Sequence, residues 1–332
     1  MSASTDDATI VVSVVVPACG RMDLLDRCLD ALMRQQFDPH QVEIIVVDDE
    51  PNHNTLHLVA GWRTRTLERG PRLSYVANPG PPGPASARNR GWRAARAPIV
   101  AFTTDDAVPE PCWLAEGLAA FRADAEVVCG RIQTPVPARP TEYQRSAHGH
   151  EAADFTSASC FFRKTALERL DGFDERFSVP RGSDADMYFR LLEHGVTIVR
   201  APRALVVYPV RPAPWGASLL QIRHAVFDAL LYKKHPALYR QKVEARPRWD
   251  HYAIVGVLLL ALAALLAGLP VLAALAFVGW LLLTGRLCAH RLRGVAHTPA
   301  HVADIVVTSA LLPPLAVFWR LAGAVRYRVR FA

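Results

Sequence analysis

The chain has 332 residues, 51% of them hydrophobic, with a formal net charge of +7. That length accommodates one large domain and an accessory part. The positive charge forms no single dense tract and has no RNA-binding motif beside it, so a nucleic-acid partner is not expected.

Residues 1–7 are polar and acidic, without the basic and apolar regions of a signal peptide, so the N-terminal part is expected to stay in the cytoplasm. Residues 10–17 (IVVSVVVP) form a continuous valine-rich run, the pattern of a parallel strand buried on both faces. Residues 22–36 have helical spacing, with Leu25, Cys28, Leu29 and Leu32 on one face. A second buried strand over 42–48 ends in Asp48-Asp49, a helix follows over 54–68, and a third strand over 72–76. The Pro/Gly run over 78–84 forces a loop. A helix over 85–97 and an apolar strand over 97–102 then lead to Thr103-Thr104-Asp105-Asp106. Alternation of this kind implies a doubly wound, mostly parallel α/β sheet. Further strands are expected over 127–134, 156–163, 196–200 and 205–208, with a helix over 184–194 and a helical pattern over 216–235.

The character of the chain changes at Tyr252, and residues 252–284 are almost wholly apolar. One continuous helix there would run about 50 Å, against a hydrocarbon core of roughly 30 Å. Gly268-Leu269-Pro270 divides it, so two helices of about 15 residues, each about 23 Å, are expected in a transmembrane or shallow re-entrant hairpin. A buried core helix of a soluble protein is the alternative. Arginines cluster around the apolar segments (Arg246 and Arg248; Arg286, Arg291 and Arg293; Arg320, Arg326, Arg328 and Arg330), which suits a cytoplasmic membrane surface. A third apolar stretch over 302–319 contains Asp304 and Pro313-Pro314 and reads as an interfacial helix. The expected divisions are therefore an α/β domain over 1–212, an amphipathic helical connector over 213–250, the hairpin over 251–285, and a basic loop with interfacial helix over 286–332. The six cysteines form no CxxC pair, so buried reduced thiols are expected rather than a zinc or redox site.

Asp105 and Asp106 are the most informative residues. In an open α/β sheet, ligands bind at the carboxyl ends of the strands. Adjacent carboxylates there suit a hard divalent cation, which prefers oxygen ligands and commonly brings a diphosphate. The plain alternative is a solvated turn or a helix cap.

Four separated segments change that reading: Val12-Ser13-Val14-Val15-Val16-Pro17, Glu43-Ile44-Ile45-Val46-Val47-Asp48-Asp49, Ala87-Arg88-Asn89-Arg90-Gly91 and Thr104-Asp105-Asp106. In this order and spacing they closely resemble the inverting glycosyltransferase family 2, over roughly residues 10–210. The resemblance implies a GT-A fold, a nucleotide-sugar-binding catalytic domain, and a membrane-associated enzyme of the bacterial type. It assigns nucleotide-sugar contacts to Pro17, Ala18, Cys19, Asp48, Asp49, Arg88, Thr104 and Asp105, with Asp49 favoured over Asp48. Cys19 stands where relatives carry an aromatic. Thr104 replaces the first aspartate of the family's Asp-x-Asp motif, which leaves Asp106 as the carboxylate for Mg2+ or Mn2+. Arg88 near a helix N-terminus would favour a diphosphate, although a surface arginine reads the same way. Asp184, in Gly182-Ser183-Asp184-Ala185-Asp186 with Arg190 six residues on, matches the family's general base, and Ser183 replaces a glutamate. An acceptor hydroxyl needs such a base during attack; the alternative is a helix cap by Ser183 or Asp184. Asn89 and Asp186 are expected in supporting roles.

His148, His150 and His194 are read as solvated or hydrogen-bonded histidines, and Trp113 as packing. Gln221-Ile222-Arg223-His224-Ala225 does not satisfy the Gln-x-x-Arg-Trp motif of processive synthases, so single-sugar addition is expected. The implied donor is a nucleoside-diphosphate sugar, with UDP favoured. The implied acceptor is a lipid-linked or otherwise membrane-held glycan, met at the cytoplasmic face of the inner membrane among membrane lipids. Replacements at Cys19, Thr104 and Ser183 motivate a rival, a membrane-anchored nucleotide-sugar-binding protein without turnover. A nucleotidyltransferase is disfavoured, because Pro17-Ala18-Cys19-Gly20-Arg21 is not a Gly-rich phosphate loop.

Overall fold

The computed structural model describes residues 10–67, 70–210 and 213–330. The leader reading over 1–7 and the boundary at residue 212 fall outside these. The chain divides into two compact units, one holding the residues up to Pro135 and Gly149–Pro209, the other Val136–His148 and Val210 onward. Residues 136–148, expected within the α/β domain, thus join the C-terminal unit.

The first unit carries β1 (Val12–Ala18), α1 (Met22–Met33), β2 (Val42–Asp48), α2 (His53–Thr66), β3 (Arg72–Ala77), α3 (Pro84–Ala94), β4 (Ile99–Phe102), β5 (Val108–Pro109), α4 (Trp113–Ala119) and β6 (Val127–Gln133). After α5 (Glu142–His148), which belongs to the second unit, it resumes with β7 (Cys160–Arg163), α6 (Lys164–Arg169), α7 (Pro180–Glu193) and β8 (Ile198–Val207). The strands form one sheet in the order β3-β2-β1-β4-β7-β6-β8-β5. β1–β2, β1–β4, β2–β3 and β6–β8 pair in parallel; β4–β7, β6–β7 and β5–β8 are antiparallel. This is the GT-A arrangement of a mostly parallel sheet between helices.

Both faces of the central strands are covered, which is why their sequences are continuously apolar rather than alternating. Val12, Val14 and Val16 share one core with Leu25, Cys28 and Leu29 of α1, whereas Val15, Ile45 and Val47 share the other with Ala85, Ala87 and Trp92 of α3. α3 lies against the sheet at Gly91, where an added Cβ would meet Val15 Cγ1 at 2.2 Å and Val47 Cγ2 at 3.0 Å. Glu43, a buried charged residue within β2, accepts from Ser13 Oγ, Arg96 N and Arg96 Nε and is structural.

Several elements differ from expectation. β8 is one ten-residue strand rather than two, and it follows β6 across an irregularity between Cys129 and Arg131. β7 starts at Cys160, later than expected. α7 starts at Pro180, earlier than expected, because proline suits the first turn of a helix. Only Cys28, Cys129 and Cys160 are buried; Cys19 and Cys112 are exposed.

The second unit continues with α8 (Ala217–Ile222), α9 (Val226–Lys234), α10 (Pro236–Lys242), α11 (Trp249–Leu266), α12 (Pro270–Leu292) and α13 (Pro299–Tyr327). Gly268 turns the chain between α11 and α12 with φ of 70°. Both helices are longer than expected, at 18 and 23 residues, because their polar flanks continue the helix. They span roughly 27 and 35 Å, so neither is short for a crossing. α13 has 29 residues, contains Pro313 and Pro314, and is also long and apolar enough to cross a membrane. Large apolar side chains such as Leu266, Val271 and Leu282 point outward, as expected for contact with lipid rather than with a protein core.

Gly91→Ala drives a methyl group into Val15. We expect a loss of about 1–3 kcal/mol, read as a lower melting temperature of the purified chain.

Candidate active site

The sheet's strand directions collect the expected residues. β1, β2, β3, β4, β6 and β8 all run the same way, so Ala18, Asp48, Ala77, Phe102, Gln133 and Val207 end at one edge. β7 is reversed, with Cys160 opposite Phe102, so the segment preceding it starts from that same edge. Loops leaving this edge carry Cys19, Asp49, residues 103–106, Ser157 and Tyr208.

Asp105 and Asp106 are buried, 1% and 9% exposed, so the solvated-turn reading does not hold. Gly20, with φ of 63°, turns the chain after β1 and brings Arg21 over them. Arg21 donates from Nε (3.1 Å) and Nη2 to the two oxygens of Asp105, and from Nη1 to Asp106 Oδ2 at 2.6 Å. Cys19 N adds a bond to Asp105 at 3.2 Å, and Tyr208 Oη one to Asp106 at 2.9 Å. Burial and the neighbouring Asp106 charge push the Asp105 carboxyl up, while Arg21 opposes them. Burial disfavours the Arg21 charge, but Asp105 and Asp106 outweigh it and raise its pKa.

The pair at the end of β2 divides its work. Asp48 is fully buried and accepts from Asn52 N at 3.0 Å and Tyr75 Oη at 3.1 Å, while its Oδ1 has no hydrogen-bond partner. Burial, then the bond to Asp48, raises the Tyr75 phenol. Asp49 is the more committed residue: one oxygen accepts from Asn78 Nδ2 and the other from Gly83 N, both at 2.8 Å. Each Asp49 oxygen thus already holds one bond, whereas Asp48 keeps one oxygen without a partner. Neither caps α2; Asn52 does, through Thr55 N. Pro17 is half-buried, Ala18 buried and Cys19 exposed. Burial and the Glu50 and Asp49 charges raise the Cys19 thiol.

Arg88 and Asp184 meet. Arg88 is 4% exposed, ruling out the surface-arginine reading, and its Nη1 lies 3.8 Å from Asp184 Oδ1. Arg88 Nε and Nη1 have no hydrogen-bond partner, and the guanidinium sits over the Phe173 ring at 5.3 Å. Phe173 in turn packs edge-on against Phe102 at the end of β4. Asp184 accepts from Ser157 N at 2.9 Å and Ser157 Oγ at 2.7 Å. Because α7 begins at Pro180 behind the N-cap Val179, Asp184 stands in its second turn, and neither it nor Ser183 is the cap.

The supporting residues are bolts. Asn89 donates to Phe173 O and Glu175 Oε1 and accepts from Phe173 N and Trp92 Nε1. Asp186 accepts from Arg190, which also grips the carbonyls of Leu170 and Gly172. Trp113 is buried against Phe161 and donates to Ser159. Nδ1 of His194 lies 2.8 Å from Arg190 O; the side chain of His150 lies outside the described residues.

Among the described residues no three His, Cys, Asp or Glu side chains gather to hold a metal. The Asp105–Asp106 site still fits a hard cation. It presents two carboxylates against the single charge of Arg21, beside the buried Thr104 hydroxyl, which has no partner. One or two carboxylates suffice when substrate phosphates and water complete the shell.

The sequence pattern of "Glycosyl transferase family 2" matches residues 13–178. The chain belongs to this family. The family 2 match takes in Asp48, Asp49, Arg88, Asp105, Asp106 and Ser157, and ends six residues before Asp184. The chain is 28% identical over 269 residues to validoxylamine A glucosyltransferase of Streptomyces hygroscopicus subsp. limoneus, covering 69% of this chain and 57% of that protein. It is 29% identical over 180 residues to the pre-mycofactocin glycosyltransferase of Mycobacterium tuberculosis (strain ATCC 25618 / H37Rv), covering 46% of this chain and 38% of that one. The chain thus spans less than two thirds of the length of these curated relatives. Its fold is similar to that of a mannosyltransferase from Pyrobaculum calidifontis, solved in complex with GDP-Man and Mn2+. The TM-score is 0.56, with 19% identity and 97% and 88% of the two chains covered.

No sequence motif marks Arg21, Tyr208 or Ser157 as site residues. Arg21 follows Gly20 in the turn after β1, which is its one local signal. The other two are ordinary hydroxyl residues until the sheet register places them.

Because native Asp105 holds its proton more tightly than the unfolded chain does, its ionisation opposes folding as pH rises above the ordinary carboxyl range. Arg21 offsets this. Arg21→Gln should therefore cost about 2 kcal/mol near neutral pH and less near pH 5, read from melting curves across pH.

Proposed function

We propose that this chain moves one sugar from a nucleoside-diphosphate sugar to a hydroxyl of a membrane-held glycan acceptor, with inversion at the anomeric carbon. The observation that carries this reading is the meeting of Arg88 and Asp184 at the sheet edge that also holds Asp105 and Asp106. Membership of family 2 supports a glycosyltransferase with a nucleotide-sugar donor.

Each residue has a physical reason for its role. Two buried donor nitrogens of Arg88, Nε and Nη1, lack hydrogen-bond partners, and an unmet buried donor costs about 1–3 kcal/mol. A donor diphosphate would satisfy them with charge-assisted bonds. Asp48 Oδ1 is a buried acceptor for a hydroxyl or N–H of the nucleoside, and the turn at Pro17, Ala18 and Cys19 offers backbone contacts. Asp106, with Asp105 and Thr104 beside it, would hold Mg2+ or Mn2+. Such an ion, when bound, supplies positive charge against the departing diphosphate. Arg21 must then yield at least part of its contact with Asp106; one third of its side chain is exposed, so it has room to do so.

Asp184 is the base. Ser157 fixes its carboxylate with two hydrogen bonds, and 31% of the side chain stays open to an acceptor. As the acceptor oxygen attacks the face opposite the diphosphate, its proton passes to Asp184. The new C–O bond forms while the bond to phosphate breaks, and the nucleoside diphosphate leaves with the electron pair. The three apolar helices would tether the enzyme to the cytoplasmic face of the inner membrane, among its lipids, raising the effective concentration of a lipid-linked acceptor. UDP-sugars are the first donors to test.

With an active donor–acceptor pair, Asp184→Asn should lower kcat by about 100- to 10,000-fold while donor affinity stays within about twofold. Unchanged turnover would contradict the base assignment. Chelation of divalent ions with EDTA should remove activity by about 100-fold or more, and Mn2+ or Mg2+ should restore it.

A further inference from the structure

The second unit contains a cleft of about 620 Å3 that the donor chemistry does not use. That volume is in the range of small-molecule sites, roughly 300–1,000 Å3. Its walls come from α5 and the residue before it, from the turn leading into α8, and from the facing ends of α12 and α13. The walls are fixed by hydrogen bonds. Arg291 is buried and donates through Nε and Nη2 to Glu142 at 2.7 and 2.6 Å, and through Nη1 to Ser309 at 3.0 Å. Asp304 accepts from Gly216 N at 2.8 Å, and His301 Nε2 accepts from Glu142 N at 3.2 Å.

The charge balance of these walls selects the ligand class. Arg291 is spent on Glu142 and Ser309, and Arg145 donates to the carbonyls of Arg293 and Arg291. Among the described lining residues the charges of Arg291 and Arg145 are matched in number by Glu142 and Asp304, so these walls carry no net positive charge for a phosphate. What faces the cleft instead is an indole, Trp215, 59% exposed, with the exposed amide of Gln221 and the phenol of Tyr143. An aromatic plate with neutral hydrogen-bonding groups around it fits a polyol whose C–H faces stack and whose hydroxyls bond. The cleft also reaches Leu312, eight residues along α13 from Asp304, or about 12 Å into the apolar stretch. It is therefore polar at its mouth and apolar along one side, at the arginine-rich ends of the helices.

The geometry points to this cleft as a binding site for the neutral glycosyl head of the acceptor, with an attached apolar chain lying along α13 toward Leu312. This deepens the glycosyltransferase reading above and rests on it. Trp215 is the stacking residue and Gln221 a hydroxyl contact; neither belongs to the donor site.

Saturation-transfer NMR on the full chain in lipid nanodiscs tests the inference, with empty nanodiscs as the blank. The probes are methyl and hexyl glycosides of glucose, mannose, galactose and N-acetylglucosamine. Transfer to at least one glycoside is expected, about fivefold weaker in Trp215→Ala and likewise reduced in Gln221→Ala. Both positions are exposed, so both variants fold. A stronger signal from the hexyl than the methyl form supports a lipid-borne acceptor; equal signals support the saccharide site with a soluble glycan as its source. No transfer to any glycoside, transfer unchanged in both variants, or displacement by inorganic phosphate overturns the inference. Thermal stabilisation by a panel of UDP-, GDP-, dTDP-, ADP- and CDP-sugars in the same samples separates the two readings. If a donor binds and no glycoside does, only the cleft assignment falls; if no nucleotide-sugar binds, the proposed function falls.

Discussion

Phe102 lies opposite Cys160 in antiparallel register, and the placement of Asp105, Asp106 and Asp184 depends on that pairing. β4 ends where β7 begins. The loop after β4 and the loop before β7 therefore leave the sheet at one edge, although more than 50 residues separate them in sequence. The first loop carries Asp105 and Asp106. The second carries Ser157, which holds Asp184. A slip of one residue would turn Phe102 out of the cluster it forms with Phe162 and Phe173, so the packing of the core fixes the register that assembles the site.

Two arginine–carboxylate groups then divide the edge. In one, Arg21 is saturated by Asp105 and Asp106, and the carboxylates outnumber the cation. In the other, Arg88 is buried on an aromatic ring, its hydrogen-bonding capacity partly unmet, with a single carboxylate at 3.8 Å. The first group has anionic charge to offer a metal ion. The second has donors to offer an anion. On the proposed function, a diphosphate with its cation would be complementary to both at once. The bolts formed by Asn89, and by Asp186 with Arg190, hold α3 and α7 to the loop at 170–175 and so keep Arg88 and Asp184 in mutual range.

Much of this was legible because burial leaves a strong periodic trace. The valine-rich runs of β1 and β2, the helix at α1 and the acidic ends of β2 and β4 are written in local composition. The second half of the unit was harder to read. β8 carries Arg200, Pro202 and Arg203 in its middle, which resembles a break between two strands; partnership with β6 across a bulge keeps it whole. α7 was expected to begin at its acidic cluster, but Pro180 starts it a turn earlier, and the capping role suggested for Ser183 and Asp184 disappears with that shift. The apolar helices outgrew their hydrophobic segments because residues such as Trp249 and Arg286 continue the helix at little cost. Arg21 was invisible as a site residue, since nothing local announces that a turn after β1 will close over two carboxylates after β4. The bonds from Asn78 and Gly83 N to Asp49 likewise have no local sequence signal, because they cross from β2 to the loop after β3.

The most direct test of a shared cleft is an experimental structure of the full chain with Mn2+ and a nucleoside-diphosphate sugar it binds. The account predicts the diphosphate within hydrogen-bond reach of Arg88 on the Asp106 side, with the anomeric carbon exposing to Asp184 the face opposite the leaving oxygen. A diphosphate bound away from Arg88, or an Asp184 carboxylate opening onto a cavity that does not contain the sugar, would contradict it.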